Sequence, residues 1–280
     1  MQSPKKRESE AAGSLVSAKI SRLGPGWFSR FVFAAAVAIT PLAGRAQTGA
    51  IDFRSAESRV SLVELYTSEG CSSCPPADAW LGRLKDSPRL WSEFVPVAFH
   101  VDYWDRLGWR DPWSSPEWSD RQRALAGSWR AGEVYTPCVV LNGSEWRGWG
   151  PTKGPPSTAA EKTGALSVHS ADGGSWTVTF APAKAGEGYE ARAALLACGL
   201  SSNVRAGENA GRRLAHDFTV IALEKASLGE FDGVVRGELF LPPRKTALGE
   251  RWAVAVWVVK TGRMEPVQAA GGWLPGTAKP

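Results

Sequence analysis

"SLVELYTSEGCSSCPPAD" (Ser61–Asp78) places a run of apolar and β-branched residues directly before two cysteines three positions apart, Cys71 and Cys74. Two prolines, Pro75 and Pro76, follow and open a segment with Ala77, Trp80, Leu81 and Leu84 at helical spacing. The first part reads as a buried strand and the second as a helix with proline in its first turn, so the pair lies at a strand-to-helix junction. There the free N–H groups and the helix dipole favour a thiolate, which lowers a thiol pKa from ~8.5 into the ~3.5–7.5 range. Three chemistries are open to such a pair: redox exchange, half of a metal site, or a structural clip. A zinc site normally adds a second CxxC or a histidine pair at matching spacing, and the sequence has neither.

Upstream, Lys5, Lys6, Arg7, Lys19, Arg22 and Arg30 precede the apolar run from Phe31 to Ala43 and the small residues around Ala46. This pattern predicts a secretory signal peptide over residues 1–46, since the run is too short to span a bilayer and contains Pro41. The expected location is exported, periplasmic or secreted. The formal charge of +5 comes from that segment, because the remaining 234 residues carry 26 basic and 26 acidic side chains. A nucleic-acid partner is therefore not expected, and no later run is apolar enough to be a transmembrane helix. Four cysteines in an exported chain suit disulfide chemistry but are far too few for a cysteine-scaffolded mini-protein.

Residues 47–58 read as a linker. Strands are expected over Arg59–Thr67, Phe94–Trp104 and Thr136–Gly143, with helices over Pro75–Asp86 and Ser115–Trp129. That order is the grammar of an α/β layer with parallel pairing, assigned to residues 59–150. After a Pro/Gly-rich linker at 151–163, residues 164–262 hold short alternating segments such as "SWTVTFAP" and "RWAVAVWVVK". They predict a mainly antiparallel, sandwich-like β domain with one buried face, followed by an irregular tail at 263–280.

The strand, the Cys71/Cys74 pair followed by Pro75, and Thr136-Pro137 at the start of a later strand resemble thioredoxin-like proteins over Arg59–Trp149. "ELYTSEGCSSCPPAD", "HVDYWDRLGWRDPWSSPEWSDRQR", "VYTP" and "RAGENAGRRLAHDFTVI" are together similar to an exported bacterial family known as domain of unknown function 1223. The thioredoxin resemblance implies that Cys71 is the exposed attacker and Cys74 the resolver. It also implies that Pro137 is a cis proline packed against the disulfide, and that Glu64 corresponds to a buried acid. Gly70 replaces the usual aromatic residue and Ser72-Ser73 fill the motif, so neither potential nor partner surface carries over.

His100 is the sole histidine of the N-terminal half and is expected at the same sheet edge as Cys71. It either shuttles protons for the thiols, joins a metal, or holds the following loop by a hydrogen bond. Glu64 is either a half-buried proton acceptor or a solvent-facing carboxylate, since period-two alternation permits both. Asp102 and Asp105 are expected to pin their loop, and Arg121 and Arg123 to lie on a mixed-sign solvated face. Trp104, Trp109, Trp113 and Trp118 form either an aromatic wall beside the cysteines or a self-packed loop. His169 and His216 are expected to be structural. Cys138 and Cys198 are small buried hydrophobes or an inter-domain bridge.

Three functions follow from these residues. The first is a thiol–disulfide redox protein acting on a thiol or disulfide of another envelope protein, or on a small thiol, and needing no cofactor. The second is a copper-handling protein with Cys71, Cys74 and His100 as ligands. The third is a non-catalytic interaction protein in which the pair is a permanent disulfide.

Overall fold

Side-chain alternation along two strands organises the fold. In the computed structural model, which describes residues 49–129, 132–156, 161–184, 186–245 and 248–276, the chain is mostly β with few helices. The expected signal segment lies outside the described residues, among which no helix is long and apolar enough to cross a membrane.

The chain opens with β1 (Ile51–Arg54), β2 (Ser61–Thr67), α1 (Pro75–Arg83), β3 (Phe94–His100), α2 (Pro116–Ser128), β4 (Cys138–Leu141) and β5 (Ser144–Glu145). It continues through β6 (Gly164–Ser170), β7 (Ser175–Pro182), β8 (Tyr189–Cys198), β9 (Leu200–Asn203) and β10 (Arg213–His216). It ends with β11 (Thr219–Phe231), β12 (Val234–Phe240), β13 (Arg251–Lys260) and β14 (Pro266–Trp273). The strand at β1 corrects the expected linker, and β14 corrects the expected irregular tail, since Pro266–Trp273 pairs antiparallel with β13.

β2 and β3 pair in parallel across α1, as a strand-helix-strand unit requires, but β4 adds to β2 antiparallel. The α/β layer is thus mixed, a correction to the expected parallel sheet. β11 joins it to the rest: Thr219 pairs with Ala98 of β3, while its long remainder pairs with β8 and then β12. The described residues fall in one compact unit.

β8 and β13 are buried on both faces, not on one as the alternating pattern suggested. On β13, Ala253, Ala255, Trp257 and Val259 face a core with β2, β3 and α1, while Trp252, Val254, Val256 and Val258 face a second core with β6, β7 and β12. A strand shared by two cores must be apolar at every position, which is why "WAVAVWVV" lacks polar alternation.

α2 begins at Ser115, whose side chain accepts from the Glu117 N–H, and its buried stripe is Trp118, Arg121, Gln122 and Leu125. Arg121 is therefore inside, against the expectation of a solvated face. Its guanidinium donates to Glu64 Oε2 from Nε and Nη2, at 3.0 and 2.7 Å, and lies over the rings of Phe99 and Trp257.

Candidate functional site

Cys71 and Cys74 form a disulfide at the end of β2, with a Cα separation of 5.4 Å. Cys74 is the N-cap of α1, and its carbonyl accepts from the Ala77 and Asp78 N–H groups. The sequence therefore folds locally as read, with the pair where chain direction changes from strand to helix. The Thr136–Pro137 peptide is cis, and the Thr136 carbonyl oxygen lies 3.7 Å from Cys71 Sγ. Cys71 is only 1% exposed, so the expectation of an exposed attacker is corrected: the solvent-facing part of the motif is Ser72-Ser73.

The aromatic loop covers the motif from the side. Trp104 Nε1 donates to Thr136 Oγ1 at 2.8 Å, and a Cβ placed on Gly70 would lie 2.9 Å from Trp104 Cβ. Glycine before Cys71 is thus a steric requirement of the chain at Trp104, whose Cβ and carbonyl oxygen pass beside it.

A second strap comes from the turn between β9 and β10. Asn209 Nδ2 donates to the carbonyls of Glu69 and Cys71, at 2.8 and 2.9 Å, and the Ser72 N–H donates to the Glu208 carboxylate at 2.9 Å. The Ser72 hydrogen bonds hold the Glu208 carboxyl below the usual range. Asn209→Ala is expected to destabilise the protein by about 2–3 kcal/mol, since two carbonyls lose their donor in a dry site. Urea unfolding checks this, and reduction of the disulfide by dithiothreitol should become faster in the variant.

Beneath the motif lies a buried polar cluster assembled from six segments. The Thr67 hydroxyl donates to Asp78 Oδ2 at 3.0 Å. Glu69, fully buried, receives Trp109 Nε1 at 2.7 Å on one oxygen and the Ser202 hydroxyl on the other. His216 Nε2 contacts that second oxygen at 2.9 Å. His100 Nδ1 meets Asp111 Oδ2 at 2.7 Å, and the same oxygen accepts the Glu69 N–H. The two imidazoles meet edge to face, with centroids 4.7 Å apart.

Burial of Asp111 would raise its pKa, but the His100 imidazole and the N–H groups of Glu69 and Trp113 outweigh it and lower it. Burial likewise opposes charge on His216, yet Asp78 and Glu69 together push it up to about 10. Asp78, His100 and His216 present ligand-type atoms within 4.8 Å of one another.

His100 thus stands beside Asp111 and His216. It has no hydrogen bond to either cysteine sulfur, since its Nε2 has no partner and its Nδ1 is held by Asp111. Glu64, neither half-buried nor solvent-facing, is 0% exposed and takes the Arg121 guanidinium and the Tyr66 hydroxyl on Oε2. Asp102 accepts from Ser119, and Asp105 from Ser114 and the Asp111 N–H, so both pin the loop.

Cys138 and Cys198 are free and buried, so the considered bridge between them is absent. Burial pushes their thiols up to about 11 and about 12. Native alkylation at neutral pH should therefore label neither, unfolding should expose two thiols, and unfolding with reduction should expose four; labelling of either before unfolding contradicts this burial.

Sequence reasoning missed Glu69, Asp78, Asp111 and Asn209 and treated His216 as merely structural. A signal existed: in "RLAH", His216 shares a face with Leu214, and both are buried.

A family model described as a protein of unknown function, DUF1223, matches residues 62–259. Among curated proteins none matches the chain. A protein from Agrobacterium tumefaciens solved as a structural genomics target is similar, at 24% identity and a TM-score of 0.52, over 79% of this chain and 96% of its own. HBP35 of Porphyromonas gingivalis is 15% identical with a TM-score of 0.53, over 81% of this chain and 78% of its own. At these identities both similarities show the fold alone.

Proposed function

The chain belongs to the DUF1223 family, whose description leaves activity open, and we propose that it is a thiol–disulfide redox protein of the cell envelope working through Cys71 and Cys74. The observation that carries this reading is the placement of the disulfide. It sits at the β2–α1 junction with Cys74 capping the helix and with the carbonyl before a cis proline beside Cys71 Sγ. That combination, around the parallel β2–α1–β3 unit, is what makes residues 59–150 thioredoxin-like in this reading. The export part of the proposal rests on the basic and apolar pattern of residues 1–46.

In the reduced protein, the Cys71 thiolate, favoured by the N-terminus of the nine-residue α1, attacks one sulfur of a partner's disulfide and releases the other as a thiolate. Cys74 then loses its proton to solvent and attacks Cys71 Sγ. The mixed disulfide breaks, the partner leaves with two thiols, and the Cys71–Cys74 bond seen here is restored. The reverse direction oxidises a partner dithiol by the same bonds.

A second reading, the permanent clip, is favoured by one observation: the disulfide is buried and strapped by Asn209, Glu208 and Trp104. Insulin reduction with dithiothreitol as electron source separates the two. The redox reading expects acceleration well above the uncatalysed rate, and an unchanged rate supports the clip.

A further inference from the structure

We propose that Asp78, His100 and His216 form a binding site for one divalent first-row transition-metal ion, with zinc the ion best suited to it. The site is distinct from the cysteine pair and does not depend on the redox reading. Its first support is orientation. Each imidazole has one nitrogen committed to a carboxylate, His100 Nδ1 to Asp111 and His216 Nε2 to Glu69. The remaining nitrogens, His100 Nε2 and His216 Nδ1, are buried and have no hydrogen-bond partner. A carboxylate on the far nitrogen orients each ring with its near nitrogen toward the other, the usual outer shell of a metal-bound histidine, and an ion bound at His216 Nδ1 takes the place of a proton there, which is released on binding.

The second support is convergence. One ligand-type atom from each of Asp78, His100 and His216 lies within 4.8 Å of the other two, and His216 Nδ1 stands 3.9 Å from Asp78 Oδ1, within ion-pair reach but too far for a hydrogen bond. Ligands held 2.0–2.2 Å from zinc stand about 3.3 Å apart, so the three side chains need to close by roughly an ångström or somewhat more. Thr67 already holds the other Asp78 oxygen, Oδ2, which leaves Oδ1 for an ion.

Charge is the third support. Three acidic side chains, Asp78, Glu69 and Asp111, surround the two imidazoles, while the buried guanidinium of α2, Arg121, is engaged with Glu64. A divalent ion offsets that excess, and imidazole with carboxylate is a donor set that suits zinc and its neighbours. Entry is available, because Asp78 and His216 both line a surface cavity of about 430 Å³ between α1 and β10. Its Lys85 is paired with Asp217 and its Arg212 with Asn209.

The test uses the full chain, stripped with chelator and titrated with Zn²⁺ and then Co²⁺. One equivalent of zinc should bind, and at a hundredfold excess over the dissociation constant should raise the Tm by roughly 5–10 °C. Cobalt should give visible ligand-field bands without a thiolate charge-transfer band. The Cys71→Ser/Cys74→Ser double variant should bind unchanged, Asp78→Asn should lose saturable uptake, and Asp111→Asn should bind about 10- to 100-fold more weakly. If Asp78→Asn fails to fold, the cobalt spectrum and the cysteine variant still decide. Absence of saturable uptake by the stripped wild type overturns the proposal, as does a thiolate band or loss of binding with the cysteines, which would indicate the copper-type set of Cys71, Cys74 and His100.

Discussion

Arg121→Ala is expected to cost about 3–5 kcal/mol, the largest stability effect of any single substitution considered, because it strands a carboxylate in the core. Glu64 is 0% exposed and its Oε1 has no partner, so nearly all its compensation comes from Arg121 and the Tyr66 hydroxyl on Oε2. The pairing is mutual: burial alone would lower the Arg121 pKa, and Glu64 outweighs it to hold the guanidinium more firmly charged than usual. Alanine also removes the guanidinium from over Phe99 and Trp257, each such contact being worth about 0.5–2 kcal/mol. For a chain of this size the fall in Tm should be roughly 6–20 °C. The double variant Glu64→Gln/Arg121→Met should recover much of the loss, since a neutral pair leaves no bare charge. A cost below about 1 kcal/mol for Arg121→Ala would show that solvent reaches Glu64.

That pair marks where sequence reading succeeds and where it stops. Strand β2, helix α1, strand β3, helix α2 and strand β4 were all legible, within a few residues, because each carries its own periodicity and its own punctuation by proline, serine or Asn-Gly. The inward position of Arg121 was also written there, at the helical spacing Trp118, Arg121, Gln122, Leu125. It was overlooked because a charged residue is normally assigned to water, and its partner lies 57 positions away.

The candidate site divides in the same way. Cys71, Cys74 and Pro137 are local motifs, and His100 is conspicuous at a strand end. Asn209 and His216 reach the motif across 138 and 147 positions, so no spacing rule connects them to it. The direction of β4 and the double-sided burial of β8 and β13 are likewise set by pairing between distant segments. A strand's own residues report that a face is buried, but not which neighbour buries it.

Cys71→Ser is expected to reduce disulfide exchange to the uncatalysed background, the largest effect on activity. Exchange begins with a thiolate at that position, and a serine hydroxyl at neutral pH supplies neither the anion nor a sulfur to form the mixed disulfide. Cys74→Ser should behave differently. With attacker present and resolver absent, the partner should accumulate as a mixed disulfide on Cys71, visible as a mass increase that dithiothreitol removes. Exchange that survives Cys71→Ser unchanged would contradict Cys71 as the attacker, since the thiols left are Cys74, itself buried, and Cys138 and Cys198, buried and held in the protonated form.

The midpoint potential of the Cys71–Cys74 bond, measured by equilibration in glutathione and dithiothreitol buffers, tests the central claim most directly. An exchanging pair should fall between about −120 and −270 mV, the range spanned by oxidising and reducing members of thiol–disulfide chemistry. A value below about −300 mV would identify a permanent structural clip and contradict the redox function proposed for this protein.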